Sequence, residues 1–305
     1  MKRLLKRLLL IFSALGALMV IAIGILVWQA TRHRVYYFNP DWSPDGSKIV
    51  FESTRDGKFA IYTIQVDGSD LRKLTNAFAN DEQARWSPDG QQIVFFSDRD
   101  GHEQLYLMNH DGSQQRRLTN ADAQDFNPTY SPQGDQIAFM SSPPGYGQFH
   151  DIFVVRTDGT GRTRLTDQTA DFMGPRWSPN GAGILFVRGA KSRFPAHNSD
   201  EIFVMKNDGS QAVNLTNNNV RDYHACWSKD GQTIYFLSER EGTKHVYAMN
   251  ADGSGVHKVA DGSIVSDPTI SPDGKYFAYT KEVNGKTGLY IYDLKNAKER
   301  LLIGE

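Results

Sequence analysis

The chain has 305 residues, of which 23% are charged and 11% are aromatic, and its formal net charge at pH 7 is -1. This composition excludes an intrinsically disordered protein, and the near-neutral charge gives no electrostatic footprint for nucleic acid. The single cysteine, Cys226, excludes an intramolecular disulfide framework and a cysteine-based metal cluster, and we expect it to be a buried small side chain.

The chain opens with a basic segment followed by an apolar one. All four charged residues among the first 30 are basic, and the 21 residues from Leu8 to Trp28 carry no charge. A helix over this run would be about 31 Å long, which matches a hydrocarbon core of about 30 Å. The alternative is a cleavable signal peptide, but its best cleavage site, Trp28-Gln29-Ala30, places a bulky Trp where a small residue is needed. We therefore predict an uncleaved transmembrane helix over residues 8–28.

The distribution of charge predicts the orientation of this helix. Residues 1–7 are basic and are expected in the cytoplasm by the positive-inside rule. The rest of the protein is then extracytoplasmic, either periplasmic or at the cell surface. It carries 30 Lys and Arg against 35 Asp and Glu, a net charge of -5 once the four N-terminal basic residues are set aside.

After a linker of residues 29–38, one motif is repeated six times over residues 39–305. Its copies read WSPDG, WSPDG, YSPQG, WSPNG, WSKDG and ISPDG, with serines at Ser43, Ser87, Ser131, Ser178, Ser228 and Ser271. Each copy predicts four short antiparallel strands, here called A to D, joined by turns in which Pro presets φ and Gly supplies a positive φ. Six such units stacked radially bury both faces of every sheet. The sequence therefore predicts an all-β fold, a six-bladed β-propeller.

The pattern WSPDG…IVF…DG…LT resembles the WD-like repeats of the TolB-like β-propeller family. The resemblance covers about residues 36–305. The family pattern adds an α/β domain before the propeller and a cleavable signal peptide, and the predicted membrane helix takes the place of both. The resemblance therefore implies an extracytoplasmic propeller used for binding. The role of TolB in the Tol–Pal envelope system is not carried over.

In such a blade the A–B and C–D turns lie on one face, here called the turn face, and the B–C and D–A loops lie on the other, the loop face. The two longest repeats carry their extra residues in the B–C loops of blades 3 and 4, at residues 141–150 and 188–199. Long irregular loops on a rigid scaffold are often functional. The binding residues predicted on the loop face are Tyr146, Phe149, His150, Asp151, Phe194, His197, Asp200, Asp125, Asp171, Asp222, Tyr223 and His224.

An aspartate precedes strand A in four copies, and two interpretations of this series stay open. The residues are Asp81, Asp125, Asp171 and Asp222. They form either a ring of carboxylates at the mouth of the central channel, suited to a cation or a basic partner, or structural caps that accept backbone N–H bonds in their own loops. A metal shared by His150 and His197 would need both ring nitrogens near one point with a third ligand. We expect no metal and no cofactor.

Catalytic motifs are missing, since the sequence has no G-x-S-x-G, P-loop, G-x-G-x-x-G or H-E-x-x-H pattern. The expected function is a protein–protein interaction scaffold at the cell envelope, with an envelope protein as partner. Recognition of a carbohydrate or another small ligand is the alternative, with Tyr146, Phe149 and Phe194 as aromatic platforms. A metal-dependent polysaccharide lyase or hydrolase is a third class.

Overall fold

The computed structural model describes residues 34–76, 78–142, 144, 149–167, 169–189, 200–261, 264 and 268–304. This part of the protein forms six sheets, each of four strands that are hydrogen-bonded in sequence order. The predicted all-β, six-bladed architecture is confirmed. None of the described residues forms a helix long and apolar enough to cross a membrane, and the predicted span 8–28 lies outside them.

Blades 1 to 3 follow one another along the sequence. Blade 1 comprises β1 (Tyr37–Trp42), β2 (Lys48–Ser53), β3 (Ala60–Gln65) and β4 (Arg72–Lys73). Blade 2 comprises β5 (Asp81–Trp86), β6 (Gln92–Ser97), β7 (Gln104–Asn109) and β8 (Arg116–Arg117). Blade 3 comprises β9 (Gln124–Tyr130), β10 (Gln136–Ser142), β11 (Asp151–Arg156) and β12 (Thr163–Arg164).

Blades 4 to 6 repeat the same plan. Blade 4 comprises β13 (Asp171–Trp177), β14 (Gly183–Gly189), β15 (Glu201–Lys206) and β16 (Val213–Asn214). Blade 5 comprises β17 (Asp222–Trp227), β18 (Thr233–Ser238), β19 (His245–Asn250) and β20 (His257–Ala260). Blade 6 comprises β21 (Thr269–Ile270), β22 (Tyr276–Val283), β23 (Lys286–Asp293) and β24 (Lys298–Gly304).

The ring closes between blade 6 and blade 1 without any exchange of strands. Strand A of each blade packs against strand A of the next, and β1 packs against β21 in the same way. Each blade is therefore contiguous in sequence, as the repeat spacing predicts. Val35 adds one contact at this seam, because its carbonyl oxygen accepts a hydrogen bond from Thr287 Oγ1 at 2.9 Å.

Two motif residues connect neighbouring blades. On the turn face, the proline of the Ser-Pro pair of one blade packs against the turn glycine of the next blade. Pro44 and Gly90 are one such pair: a Cβ added to Gly90 would lie 3.6 Å from Cδ of Pro44. Further out, the Asp-Gly turn of one blade covers the Leu-Thr pair of the blade before it. A Cβ on Gly112 would lie 2.6 Å from the carbonyl oxygen of Leu74, so only glycine fits there.

This covering explains why strand D is shorter than the sequence suggests. The Leu-Thr pattern predicts a strand over residues 71–75, whereas β4 contains only Arg72 and Lys73. Leu74 turns inward and is 8% exposed, and the hydroxyl of Thr75 accepts a hydrogen bond from the backbone N–H of Ile61 at 3.0 Å. Leu74 is therefore covered by the turn of the next blade, whereas Thr75 bonds strand C of its own blade.

The core of each blade is built around the aromatic residue that stands eight positions after the repeat serine. These residues are Phe51, Phe95, Phe139, Phe186, Phe236 and Tyr279, and none is more than 4% exposed. Burial of one such side chain contributes about 1.5–3 kcal/mol. In blade 1 the ring of Phe51 stacks on Tyr62 of strand C with a centroid separation of 5.8 Å.

Candidate functional site

The innermost strands carry a bulge at the loop-face half of the central channel. In blades 1 to 5 the register of strand A against strand B shifts at this point. One residue at each shift has a left-handed backbone, with φ between 48° and 58°: Asn39, Gln83, Asn127, Gly174 and His224. This conformation costs about 1–2 kcal/mol for a residue other than glycine, and bulges are over-represented beside functional sites. Each of these five residues lines a cavity at the loop-face end of the channel.

Hydrogen bonds connect these bulges from blade to blade. Asn39 Nδ2 donates to Glu52 Oε1 at 2.6 Å, and the backbone N–H of Gln83 donates to the second oxygen of Glu52. Gln83 Oε1 in turn accepts from the backbone N–H of Asn127 at 2.7 Å. Arg176 Nη1 donates to Asn127 Oδ1 at 3.1 Å. A collar of polar groups thus runs through blades 1 to 4 around the channel.

Blades 4 and 5 supply the charged groups at this end of the channel. Arg221 Nη2 lies 2.8 Å from Asp200 Oδ2, and its guanidinium stands 5.1 Å from the ring of Tyr223. Lys244 is exposed, and its Nζ lies 5.8 Å from the same ring on the loop face. The cavity that these residues line has a volume of about 390 Å³. Of the predicted binding residues, Asp200, Tyr223 and His224 are therefore brought together here.

The aspartate series does not line the channel, and this corrects its interpretation as a ring of carboxylates. Three members are fully buried and form ion pairs within their own blades: Asp81 with Arg99 at 2.9 Å, Asp125 with Arg162 at 2.6 Å and Asp222 with Arg240 at 3.3 Å. Each guanidinium lies over two aromatic rings of its blade, 4.4 to 5.6 Å from their centroids. Asp125 and Asp222 thus act within their own blades, because each carboxylate is buried and paired with an arginine.

The fourth aspartate, Asp171, has a histidine as its partner. His150 Nδ1 lies 2.9 Å from Asp171 Oδ1, and the backbone N–H of His150 donates to the same oxygen at 3.1 Å. The imidazole also meets the ring of Phe126 edge-on, at a centroid separation of 4.9 Å. This contact joins blade 3 to blade 4, so His150 fixes the end of the long B–C loop of blade 3.

Two further candidates belong to the same loop end. Asp151 is 1% exposed, so its prediction as a binding residue is corrected. Its carboxylate accepts hydrogen bonds at 2.6 Å from Arg164 Nη2 and from Thr166 Oγ1, which fasten strand C to the Leu-Thr pair. Phe149 is half-buried, and its carbonyl oxygen accepts from Ser142 Oγ at 3.2 Å.

Three predicted residues, Tyr146, Phe194 and His197, lie outside the described residues. Within the described ranges, no group of three or more His, Cys, Asp and Glu side chains is placed to hold a metal ion. Cys226 is half-buried and lines the turn-face half of the channel, which corrects its prediction as a buried side chain. Its surroundings raise the pKa of the thiol to about 12, mainly through loss of solvent, so it is protonated at neutral pH.

The bulge residues and the arginine partners were missed by sequence reasoning. A signal for the bulges exists in three copies, where Asn39, Asn127 and Gly174 are each followed by a proline that stands two positions before the aromatic residue preceding the repeat serine. Asn and Gly are the residues that adopt a left-handed backbone most easily. The arginines give no such signal, because Arg99 follows strand B whereas Arg162 precedes strand D.

The closed ring of contiguous blades, with a polar collar at one end of its channel, defines a six-bladed β-propeller of the Ser-Pro-Asp-Gly repeat type. The protein belongs to the TolB beta propeller domain family, whose model matches residues 29–196 and 193–304.

Individual relatives agree with this assignment. A segment of 66 residues is 39% identical to a protein TolB homolog of Chlorobium chlorochromatii, and it covers 21% of this chain but only 15% of that relative. A TolB candidate from Agrobacterium tumefaciens superposes with a TM-score of 0.69 and 25% identity, over 80% of this chain and 89% of its own. An oligogalacturonate lyase in complex with manganese has a TM-score of 0.65 at 14% identity, over 87% and 77% of the two chains, and shares the fold alone.

Proposed function

We propose that this protein is a membrane-anchored envelope protein whose propeller binds a protein partner at the loop face and catalyses no reaction. Membership of the TolB propeller family supports a role in binding, because the TolB-like propeller fold is consistent with an interaction scaffold. The basic segment and the apolar run of residues 8–28 support the anchor and the extracytoplasmic location.

The observation that carries the proposal is the way in which the two long B–C loops end. The loop of blade 3 ends at His150, which is held by Asp171 of the next blade. The loop of blade 4 ends at Asp200, which is held by Arg221 of the next blade. The C-terminal ends of both loops are thus held at fixed points on adjacent blades. Such an arrangement suits docking, because these residues lose little conformational freedom when a partner binds.

Four carboxylates of this face are not placed for acid–base catalysis. The carboxylates of Asp81, Asp125, Asp151 and Asp222 are each buried against an arginine. A general acid or base has to reach the substrate with its reacting atoms, and these groups are already occupied by their partners.

Site-specific photocrosslinking in intact membranes tests where the partner binds. A benzoylphenylalanine in place of Phe149 puts a crosslinker on the loop face, and the same group in place of Gln91, which is exposed in the A–B turn of blade 2, puts one on the turn face. We expect a discrete crosslinked partner from the first position and none from the second.

Shortening the loops provides the matching loss of function. Replacing residues 142–149 and 190–198 by Asp-Gly turns should leave the melting temperature nearly unchanged, because blades 1 and 2 form with short B–C turns. A benzoylphenylalanine in place of Gln124, an exposed loop-face residue that the shortening retains, should crosslink the partner in the unmodified protein and lose that crosslink in the shortened one. A shortened protein that still crosslinks the same partner, or crosslinks that arise only from the turn face, would refute the proposed docking surface.

A further inference from the structure

We propose that the cavity at the loop-face end of the channel binds a carboxylate carried on an apolar stem. The carboxylate has two sources, a free organic acid and the C-terminus of a peptide, which present the same chemistry. The inference goes beyond the protein–protein role and does not depend on it, because a free acid needs no partner protein.

One part of the cavity wall is apolar. Phe126, Met140, Met173 and Val187 line it, and they come from blades 3 and 4. Methionine side chains adapt to ligands of different shape, because they are unbranched and polarizable. A volume of about 390 Å³ lies in the range of small-molecule sites, which combine apolar walls with a few placed polar groups.

The charged part of the wall is predominantly basic. Among the described residues that line the cavity, Arg176, Arg221 and Lys244 are cations, and Asp200 is the one carboxylate. Arg221 lies 2.8 Å from Asp200 and 3.6 Å from Glu239, whereas Lys244 forms no ion pair with any described residue. The side chains that line the cavity thus carry more positive than negative charge, although the sequence beyond residue 30 has a net charge of -5. An anion is attracted to such a site, and a metal cation is repelled by it.

The ionisation behaviour of two lining residues agrees with this local potential. Burial and the neighbouring charge of Arg85 lower the pKa of Arg176 to about 9. Burial lowers the pKa of His224 to about 3, and the charges of Arg176, Lys244 and Arg221 contribute to the decrease. Loss of solvent is the larger cause of both shifts, and the neighbouring cations add to it, so a bound carboxylate would relieve that part of the repulsion.

The donors present suit a carboxylate in particular. A carboxylate accepts paired hydrogen bonds from a guanidinium and carries a single charge. The apolar wall would remain in contact with water around a small inorganic anion, whereas an alkyl or aryl stem covers it. We therefore expect an acid with an apolar group of a few carbons to bind more tightly than acetate or phosphate.

Calorimetric titration of the full-length protein in mild detergent tests the inference. The free-acid probes are hexanoate and phenylacetate, each compared with its neutral amide. The peptide probes are a tetrapeptide ending in leucine, as the free acid and as the C-terminal amide. We expect at least one acid to bind and its amide to bind about tenfold more weakly or not at all, since loss of a charge-assisted hydrogen bond costs about 1.5–3 kcal/mol.

Three variants locate the binding. Lys244→Gln and Arg176→Gln should each weaken binding of the acid about tenfold. Lys206→Gln, which removes an exposed lysine at the turn-face end of β15, should bind as the unmodified protein does. Because Lys244 is exposed, its variant folds even if that of Arg176 does not, and it then decides the test alone.

The outcomes separate the two sources of the carboxylate. Binding of hexanoate or phenylacetate supports a free acid, and binding of the peptide acid alone supports the C-terminus of a peptide. Equal affinity for acid and amide, equal affinity of the Lys244→Gln and Lys206→Gln proteins, or no binding of any probe would overturn the inference. None of these results bears on the photocrosslinks, so the docking surface stands or falls separately.

Discussion

Replacing Asp125 by Asn should destabilise the propeller without affecting its binding surface. The carboxylate of Asp125 is fully buried and accepts two hydrogen bonds from Arg162, at 2.6 and 3.0 Å. An asparagine keeps the size but offers one acceptor, and its NH₂ group would face the guanidinium donors. Arg162 also bonds Ser141 Oγ at 2.7 Å, so it cannot leave without breaking a further contact.

The expected loss follows from how far the pair is removed from solvent. Breaking a fully buried ion pair costs about 3–5 kcal/mol, but the side chain of Arg162 remains 26% exposed and water screens part of the unpaired charge. We expect a loss of about 2–3 kcal/mol, or roughly 5–10 °C in melting temperature for a domain of this size. Thermal unfolding of the full-length protein, followed by circular dichroism, measures this shift.

Asp70→Asn is the matched control for this substitution. Asp70 pairs with Arg72 at 2.8 Å, but both side chains are exposed, and its left-handed backbone, with φ of 51°, is one that asparagine tolerates. The control should change stability by less than about 0.5 kcal/mol. If Asp125→Asn melted like the control and yet lost its loop-face crosslink, the carboxylate would be a binding group and the structural interpretation would be wrong.

Two further substitutions test the ring and its buried acid. Lys229 stands in the fifth copy where other copies have the proline that packs against the next blade, and no atom lies within 4 Å of the Cβ position of Gly274 in that next blade. Lys229→Pro should therefore stabilise the protein by about 0.4–1 kcal/mol and raise its melting temperature. An unchanged or lower melting temperature would contradict the stacking argument. Burial and the charge of Glu82 raise the pKa of Glu52 from 4.5 to about 8, so the folded state holds a proton that the unfolded state releases, and stability falls as the pH rises from about 4.5 to 8. Glu52→Gln should therefore gain at least about 1 kcal/mol relative to the unmodified protein between pH 5 and pH 8 in denaturant unfolding, and parallel pH profiles would count against this assignment.

The fold could be predicted from the sequence because the same local pattern of turn and strand residues occurs in six copies. The Ser-Pro-Asp-Gly turns, the aromatic of strand B and the Asp-Gly turns all depend on residues within about ten positions of one another. The site was less predictable, because its contacts join residues that are distant in sequence. The partner of Asp125 is Arg162, 37 residues away, and Asp171 is reached by His150 from the preceding blade.

The bulge at His224 illustrates the same limit at a single position. His224 is followed by Ala225 and not by the proline found in three other copies, and its left-handed backbone lies at the register shift between strands A and B. The prediction of His224 as a binding residue rests on its chemical type and on its place after Asp222 on the loop face, and only the structure shows that it lies at the channel.

The closure of the ring has a consequence for the order of the blades along the polypeptide. Leu302 meets Gly68 and Pro272 meets Gly46 through the same contacts that join every other pair of neighbouring blades of this kind. The junction between the last and the first blade is thus one of six of the same kind, to which Val35 adds one hydrogen bond. A circular permutant of the propeller alone that opens in any other D–A loop and joins residues 35 and 304 by a short linker should fold to the same ring. The choice of starting blade would then decide which part of the propeller lies next to whatever is fused to its N-terminus.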